Sequence, residues 1–272
     1  VSATAAAQQT QTVEWVVRGE ALARRIETGN LFITETVRED RVAEARRLRG
    51  EARLQILYDL AADDYVASDA EAGVTSLAAL EREARAQSSA RFLTMAAMLH
   101  AYAPALNGEY VAARRNLSQA VASAQDVMVR AAGSRLLAYT LTDLGLFGNA
   151  LEAARGGLLH LPDNDSTRAL RSGLHDAMAY NSIRIGDYDA ALIQLERTVE
   201  LDTAAGRPID GLVIVNNIAG MFAQAGATDE ALRLVRIHST LADRTGLPAT
   251  RFFANLLCAR VNFLAHDYEA SL

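Results

Sequence analysis

Alanine recurs at Ala61, Ala101, Ala138, Ala179, Ala219 and Ala259, at intervals of 40, 37, 41, 40 and 40 residues. Seven residues after each alanine stands a turn-forming position: Ser68, Asn107-Gly108, Gly145, Gly186-Asp187, Gly226 or His266-Asp267. Two residues further comes an aromatic in most copies (Tyr110, Phe147, Tyr188, Tyr268), with Ala70 and Thr228 departing. Five residues beyond the turn comes a small residue: Gly73, Ala113, Ala150, Ala191, Ala231 and Ser271. Self-similarity at a fixed period of this size means stacked supersecondary units, each resting on the next.

Each anchor has a physical role. The segment Ile183–Leu195, IRIGDYDAALIQL, ends one helix and begins another. Gly186 stops the first because glycine tolerates the left-handed backbone at a helix C-terminus. Asp187 is placed to cap the second by accepting backbone N–H bonds. Tyr188, Ala191, Leu192 and Leu195 then recur at helical spacing and form a packed stripe. Alanine on both helices lets the backbones approach closely, and the aromatic fills the space beside them. A hairpin of this size has too little core of its own, so its stability must come from stacking on neighbours.

These anchors resemble the tetratricopeptide repeat, in the small residue of the first helix, the Gly-Asp-Tyr turn and the alanine early in the second helix. The best copy is SIRIGDYDAALIQLERTVELD (Ser182–Asp202), and GLFGNALEAARGGLLHLP (Gly145–Pro162) keeps the closing proline. The resemblance covers Arg49–Leu272. Two departures matter. The spacing exceeds the family's period of about 34 residues, which implies helices longer by about half a turn to one turn. The family's first-helix tryptophan is missing, and the single Trp15 lies outside the array. The chain therefore looks like the longer, divergent variety found in bacterial regulators. The resemblance implies an all-α fold, a right-handed α-solenoid of stacked helical hairpins.

Composition excludes several chemistries. All 27 basic residues are arginine, so no lysine Schiff base, phosphate-loop lysine or lysine-based clamp exists in this chain. Asn216 and Asn217 alone cannot make the carboxylate clamp of co-chaperone repeats. A net charge of −6 disfavours a nucleic-acid surface. The longest apolar run, Leu212–Ala225, is broken by Asn216, Asn217 and Gln224 and falls short of the roughly 18 residues that span a membrane. The lone Cys258 excludes an internal disulfide and reads as a buried small hydrophobe beside Ala259. His100, His160, His175, His238 and His266 show no metal-ligand spacing, and no Cys-x-x-Cys is present. Gly156-Gly157 falls inside a second helix, not in a phosphate loop, and Gly-x-Ser-x-Gly does not occur. The acidic pairs Asp63-Asp64 and Asp163/Asp165 stand near helix ends, where capping is the ordinary role. The expectation is a non-enzyme without cofactor or metal.

Three segments are expected. Residues 1–12 form a polar, flexible leader that resembles what a removed signal peptide leaves behind, pointing to a periplasmic or extracytoplasmic protein, with a cytoplasmic one as the alternative. Residues 13–48 form N-terminal helices or a cap. Glu14–Thr28 reads as amphipathic through Val13, Val16, Val17, Leu22 and Ile26, and Gly29-Asn30 ends it. An arginine-rich helix follows over Glu35–Leu48, its Glu39, Asp40, Arg41, Arg46 and Arg47 forming a solvated face; a cap or a homodimer contact is the alternative. Residues 49–272 carry about six repeats. The last starts a second helix at Asp267 and stops after one turn without a polar cap, as expected of part of a longer protein.

In tetratricopeptide arrays the first helices line a concave groove, and that geometry carries onto matching positions here. The residue after each alanine is Tyr102, Tyr139, Tyr180, Gly220 or Arg260; four residues earlier on the same face come Met98, Arg135, Asp176, Asn216 and Leu256. The candidate peptide-binding strip is Tyr102, Arg135, Tyr139, Asp143, Asp176, Tyr180, Arg184, Asn216, Gln224 and Arg260. Tyrosine and arginine dominate interface energetics. The alternative role of the tyrosines is packing between adjacent first helices. The expected function is protein or peptide recognition, as the sensor or interaction domain of a bacterial signalling protein with a diguanylate cyclase or histidine kinase output. A cytoplasmic scaffold or a transcription-regulator repeat domain is the alternative.

Overall fold

A computed structural model of the chain describes residues 2–29, 36–66, 70–204, 211–245 and 248–264. Among these residues there are thirteen α-helices and no strand, and the fold is all-α and solenoid-like, with consecutive helices packed on one another. No helix among them is long and apolar enough to cross a membrane. Before the repeats come α1 (Ser2–Thr28) and α2 (Thr36–Arg47). The first helices of the hairpins are α3 (Gly50–Val66), α5 (Ala90–Tyr102), α7 (Val127–Asp143), α9 (Arg168–Ile185), α11 (Gly211–Gln224) and α13 (Pro248–Leu264). Their partners are α4 (Ala70–Ala86), α6 (Tyr110–Ser123), α8 (Phe147–Leu158), α10 (Tyr188–Ala204) and α12 (Thr228–Thr245).

The register matches the ladder residue by residue. Each second helix begins at the position two beyond the turn: Ala70, Tyr110, Phe147, Tyr188 and Thr228. Gly108, Gly145, Gly186 and Gly226 all take positive φ, between 72° and 80°. Each closes the same C-terminal motif: at the third hairpin, Leu146 N–H donates to Leu141 O (2.8 Å) and Gly145 N–H to Thr142 O (2.9 Å). The pattern satisfies helix carbonyls that have no partner within the helix. Asp187 caps α10 as its sequence suggests, accepting from Ala190 N–H at 3.2 Å. The same motif recurs between α4 and α5, where Ser89 N–H reaches Ala84 O at 2.9 Å, but there Ser88 holds the left-handed position at φ 52°. The Ser68 and His266-Asp267 turns lie outside the described residues.

Ala61, Ala138, Ala179 and Ala219 are wholly buried, as are Ala113, Ala150, Ala191 and Ala231 on the second helices. Close backbone contact is their common requirement. Gly157 shows its limit: a Cβ there would lie 2.9 Å from Ser134 Cβ and 3.0 Å from Leu174 Cδ2. Around these contacts Leu117, Leu136 and Leu174 are fully buried, each worth about 2 kcal/mol of apolar transfer.

The chain forms two compact units, Thr36–Asn181 and a second made of Val1–Glu35 with Ser182–Leu272. In the first, α2 lies against α3, and the hairpins α3/α4, α5/α6 and α7/α8 stack in order. In the second, α1 packs on α10, α11 and α12. α1 is one continuous helix over Ser2–Thr28. Its apolar face, Trp15, Leu22, Ala23 and Ile26, is buried within the second unit.

Candidate functional site

The position three residues before each alanine sets the stripe along the first helices of the Thr36–Asn181 unit: Tyr58, Met98, Arg135 and Asp176. Met98 is buried. Arg135 reaches past the second hairpin to the first, where its Nη2 donates to Asp63 Oδ1 at 3.1 Å. Asp63 also accepts from Arg41 Nη1 of α2 at 2.9 Å, and Arg41 Nη2 stands 3.7 Å from Asp59 Oδ2. On the other side, the Tyr139 hydroxyl donates to Asp176 Oδ2 at 3.0 Å, with the Arg135 guanidinium 5.8 Å from the Tyr139 ring centroid. Thr142 of α7 donates to Asn181 Oδ1 of α9 at 2.9 Å. The inner stripe of this unit is thus a polar seam closed by its own side chains.

Burial governs its electrostatics. The Arg135 side chain is 11% exposed and that of Arg41 17%. Desolvation opposes the Arg135 charge, but the Tyr139 and Tyr58 oxygens and Asp63 more than restore it. Burial also raises the Tyr58 and Tyr139 hydroxyls far above their usual range, so both stay neutral, and Tyr139 keeps the proton it donates to Asp176. Asp176 is pushed up by burial as well, and the Tyr139 hydroxyl and Arg135 pull it part of the way back. The Tyr58 hydroxyl and Arg135 Nε have no hydrogen-bond partner among the described residues. Gly173 makes the room: a Cβ at that position would fall 2.4 Å from Arg135 Nε.

Three sequence expectations are corrected here. The strip of three tyrosines does not form. Tyr102 is 5% exposed, its ring 6.5 Å from that of Tyr65 and its hydroxyl pushed up to about 12 by burial, so it packs between hairpins. Tyr139 and Arg135 are engaged in the seam, and only Tyr180, 40% exposed, is open. Asp63 and Asp64 are not caps. They sit at the C-terminal end of α3, where a carboxylate opposes the helix dipole, and are held by Arg41 with Arg135 and by Ser76 Oγ (2.6 Å). Arg41 belongs to the buried seam and not to a solvated face; Arg46 and Arg47 remain exposed.

The other candidates are dispersed. Asp143 is exposed, Asn216 is half-buried, and exposed Gln224 accepts from the Tyr188 hydroxyl at 3.2 Å. Arg184 is exposed at the end of α9. Arg260 is exposed, its guanidinium near the bare backbone of Gly220. On α13, Phe252, Leu256 and Phe263 are more than half exposed, at i, i+4 and i+11 on one face. An open cleft of about 450 Å³ lies beside Arg91, which is already paired with Glu51 (2.7 Å) and Asp126 (2.8 Å). Among the described residues no group of His, Cys, Asp and Glu is placed to hold a metal ion.

The Val1–Glu35 and Ser182–Leu272 unit carries a second constellation, made where α1 is held. Trp15 sits between Tyr188 and Phe222, with ring centroids 5.4 and 5.3 Å away. Arg18 forks onto Glu196 through Nη2–Oε2 (2.6 Å) and Nε–Oε1 (3.3 Å), and its Nη1 reaches Asp189 at 3.1 Å. Arg233 donates to Glu20 at 2.8 Å through Nε, and Arg244 to the Glu27 carbonyl at 2.8 Å. Sequence reading missed these pairings because partners 171 to 217 residues apart leave no local spacing. Compared with known proteins, the chain matches no family model and no curated sequence.

Proposed function

We propose that the chain is a protein-recognition module built on long tetratricopeptide-like hairpins. The observation that carries this reading is the hold on α1: a helix outside the repeats is bound by aromatic, apolar and ionic contacts from α10, α11 and α12. A surface able to bind one helix so specifically has the chemistry to bind a partner's. The inner stripe of the first unit is filled by its own side chains, so recognition belongs to faces outside it. In a bacterial signalling protein such a module serves as the sensor or interaction domain, partner binding altering a diguanylate cyclase or histidine kinase output. The scaffold reading shares the recognition step and lacks the output.

The test is site-specific photo-crosslinking from Tyr180, Gln224 and Leu256, with exposed Arg155 on α8 as the control position. A discrete protein partner captured at one or more of the three and not at Arg155 is the expected result. Capture of no protein, or the same proteins at all four, overturns the reading. A change in output activity on partner addition separates sensor from scaffold.

A further inference from the structure

Residues Glu14–Thr28 belong to no repeat, yet their seat is shaped around them. The buried face of α1 presents Trp15, Arg18, Gly19, Leu22 and Ile26, at i, i+3, i+4, i+7 and i+11, the spacing with which an amphipathic helix anchors in a groove. Leu22 and Ile26 are buried, and the first three anchors meet matched walls. The i position fits an aromatic between Tyr188 and Phe222. At i+3, Glu196 and Asp189 select a guanidinium that can fork onto a carboxylate. At i+4 only the smallest residue fits, because a Cβ on Gly19 would lie 2.8 Å from Phe222 Cζ and 3.0 Å from Ile218 Cγ2. At i+5, Arg233 asks for an acid, met here by Glu20.

We propose that this face of α10, α11 and α12 is a recognition seat for an amphipathic helix of a protein partner with that anchor pattern, and that α1 is its resident competitor. The assignment rests on the protein-recognition reading above and names its site and partner class. Covalent attachment keeps α1 at high effective concentration, so an incoming helix must bind tightly or meet a weakened α1. The ion pairs that hold Arg18 are about one-third exposed or more, so salt loosens α1 and favours exchange.

The experiment uses the full chain carrying Trp15→Ala and Arg18→Ala, which weakens α1 while leaving every seat residue intact. The probe is a fluorescein-labelled peptide of residues 13–28, VEWVVRGEALARRIET, followed by anisotropy. Because Trp15 is the only tryptophan, the peptide's indole emission in this mixture reports its own burial. Saturable binding with a blue-shifted emission is expected, at least tenfold weaker to the wild-type chain, and at least tenfold weaker for a Gly19→Leu peptide. No saturation on a folded variant, equal affinity for variant and wild type, or full affinity of the Gly19→Leu peptide overturns the proposal. If the double variant loses its helical circular dichroism, an Arg18→Glu chain gives the same comparison by anisotropy. A wild-type dimer abolished by Gly19→Leu makes the occupant a second copy and overturns the partner assignment. Failure of the peptide while a photo-crosslinked partner persists removes the seat and leaves the recognition module standing.

Discussion

Replacing Asp63 with asparagine keeps the size of the side chain but removes the charge shared by two buried guanidinium groups. Arg41 retains Asp59 at 3.7 Å, whereas Arg135 loses its one ion pair among the described residues. Uncompensated buried charge costs about 3–5 kcal/mol; the asparagine oxygen still accepts a hydrogen bond, which places D63N near the lower end. Arg135→Met acts differently. It fills much of the same volume and leaves Asp63 paired with Arg41 at 2.9 Å, so its cost is about 1 kcal/mol, lost hydrogen bonding being offset by relief of desolvation. In the double variant the orphaned cation is gone, and the two effects sum to less than their parts by about 1–2 kcal/mol. Thermal unfolding followed by circular dichroism reads this directly, since each kcal/mol moves Tm by about 2–4 °C for a domain of this size. D63N should lose about 6–12 °C and R135M a few degrees. If R135M is as damaging as D63N, or the double variant is simply additive, the seam is not an electrostatic unit.

Asp176→Asn tests the other end of the seam. Burial holds the Asp176 carboxyl above its unfolded value, so its contribution to stability is fully present below the unfolded pKa and is lost as pH rises through the folded one. The neutral amide escapes that loss and still accepts from Tyr139. The variant should therefore melt higher than wild type near pH 7, with the difference closing as pH falls into the carboxylate range; a difference that grows on acidification contradicts the sign. Neighbouring glycines of α8 should respond in opposite directions. Gly156→Ala meets nothing within 4 Å and gains up to about 1 kcal/mol of helix propensity. Gly157→Ala drives a methyl against Ser134 and Leu174 and costs about 1–2 kcal/mol. Urea midpoints that move in the same direction for both refute the close-approach account.

The repeat was legible because its cause is local. Gly145, Gly186 and Gly226 each answer to a backbone angle, and Ala138, Ala179 and Ala219 to one interhelix distance, so period and hairpin boundaries could be read directly. The seam was not, because its partners are set by curvature. Arg135 was assigned to the correct stripe, but that it turns inward to Asp63 depends on how closely three hairpins bend. One trace was present: Asp63 at a helix C-terminus opposes the dipole and calls for a cation from elsewhere. Gly173 gave no such sign, since its role is to make space for a side chain 38 positions away. The placement of α1 was equally hidden: its apolar face said that it packs, not on what.

A solenoid whose units touch only adjacent units opens from its ends, one layer at a time. The link from Arg135 to Asp63 passes over the second hairpin and binds the first to the third, adding an interaction of longer range than the stack itself supplies. Fraying of α3 and α4 alone must then break this link, so the leading three hairpins gain a common opening event. Their slowest amide protons should exchange with a single free energy from α3 through α7, as one cooperative block and not as a gradient.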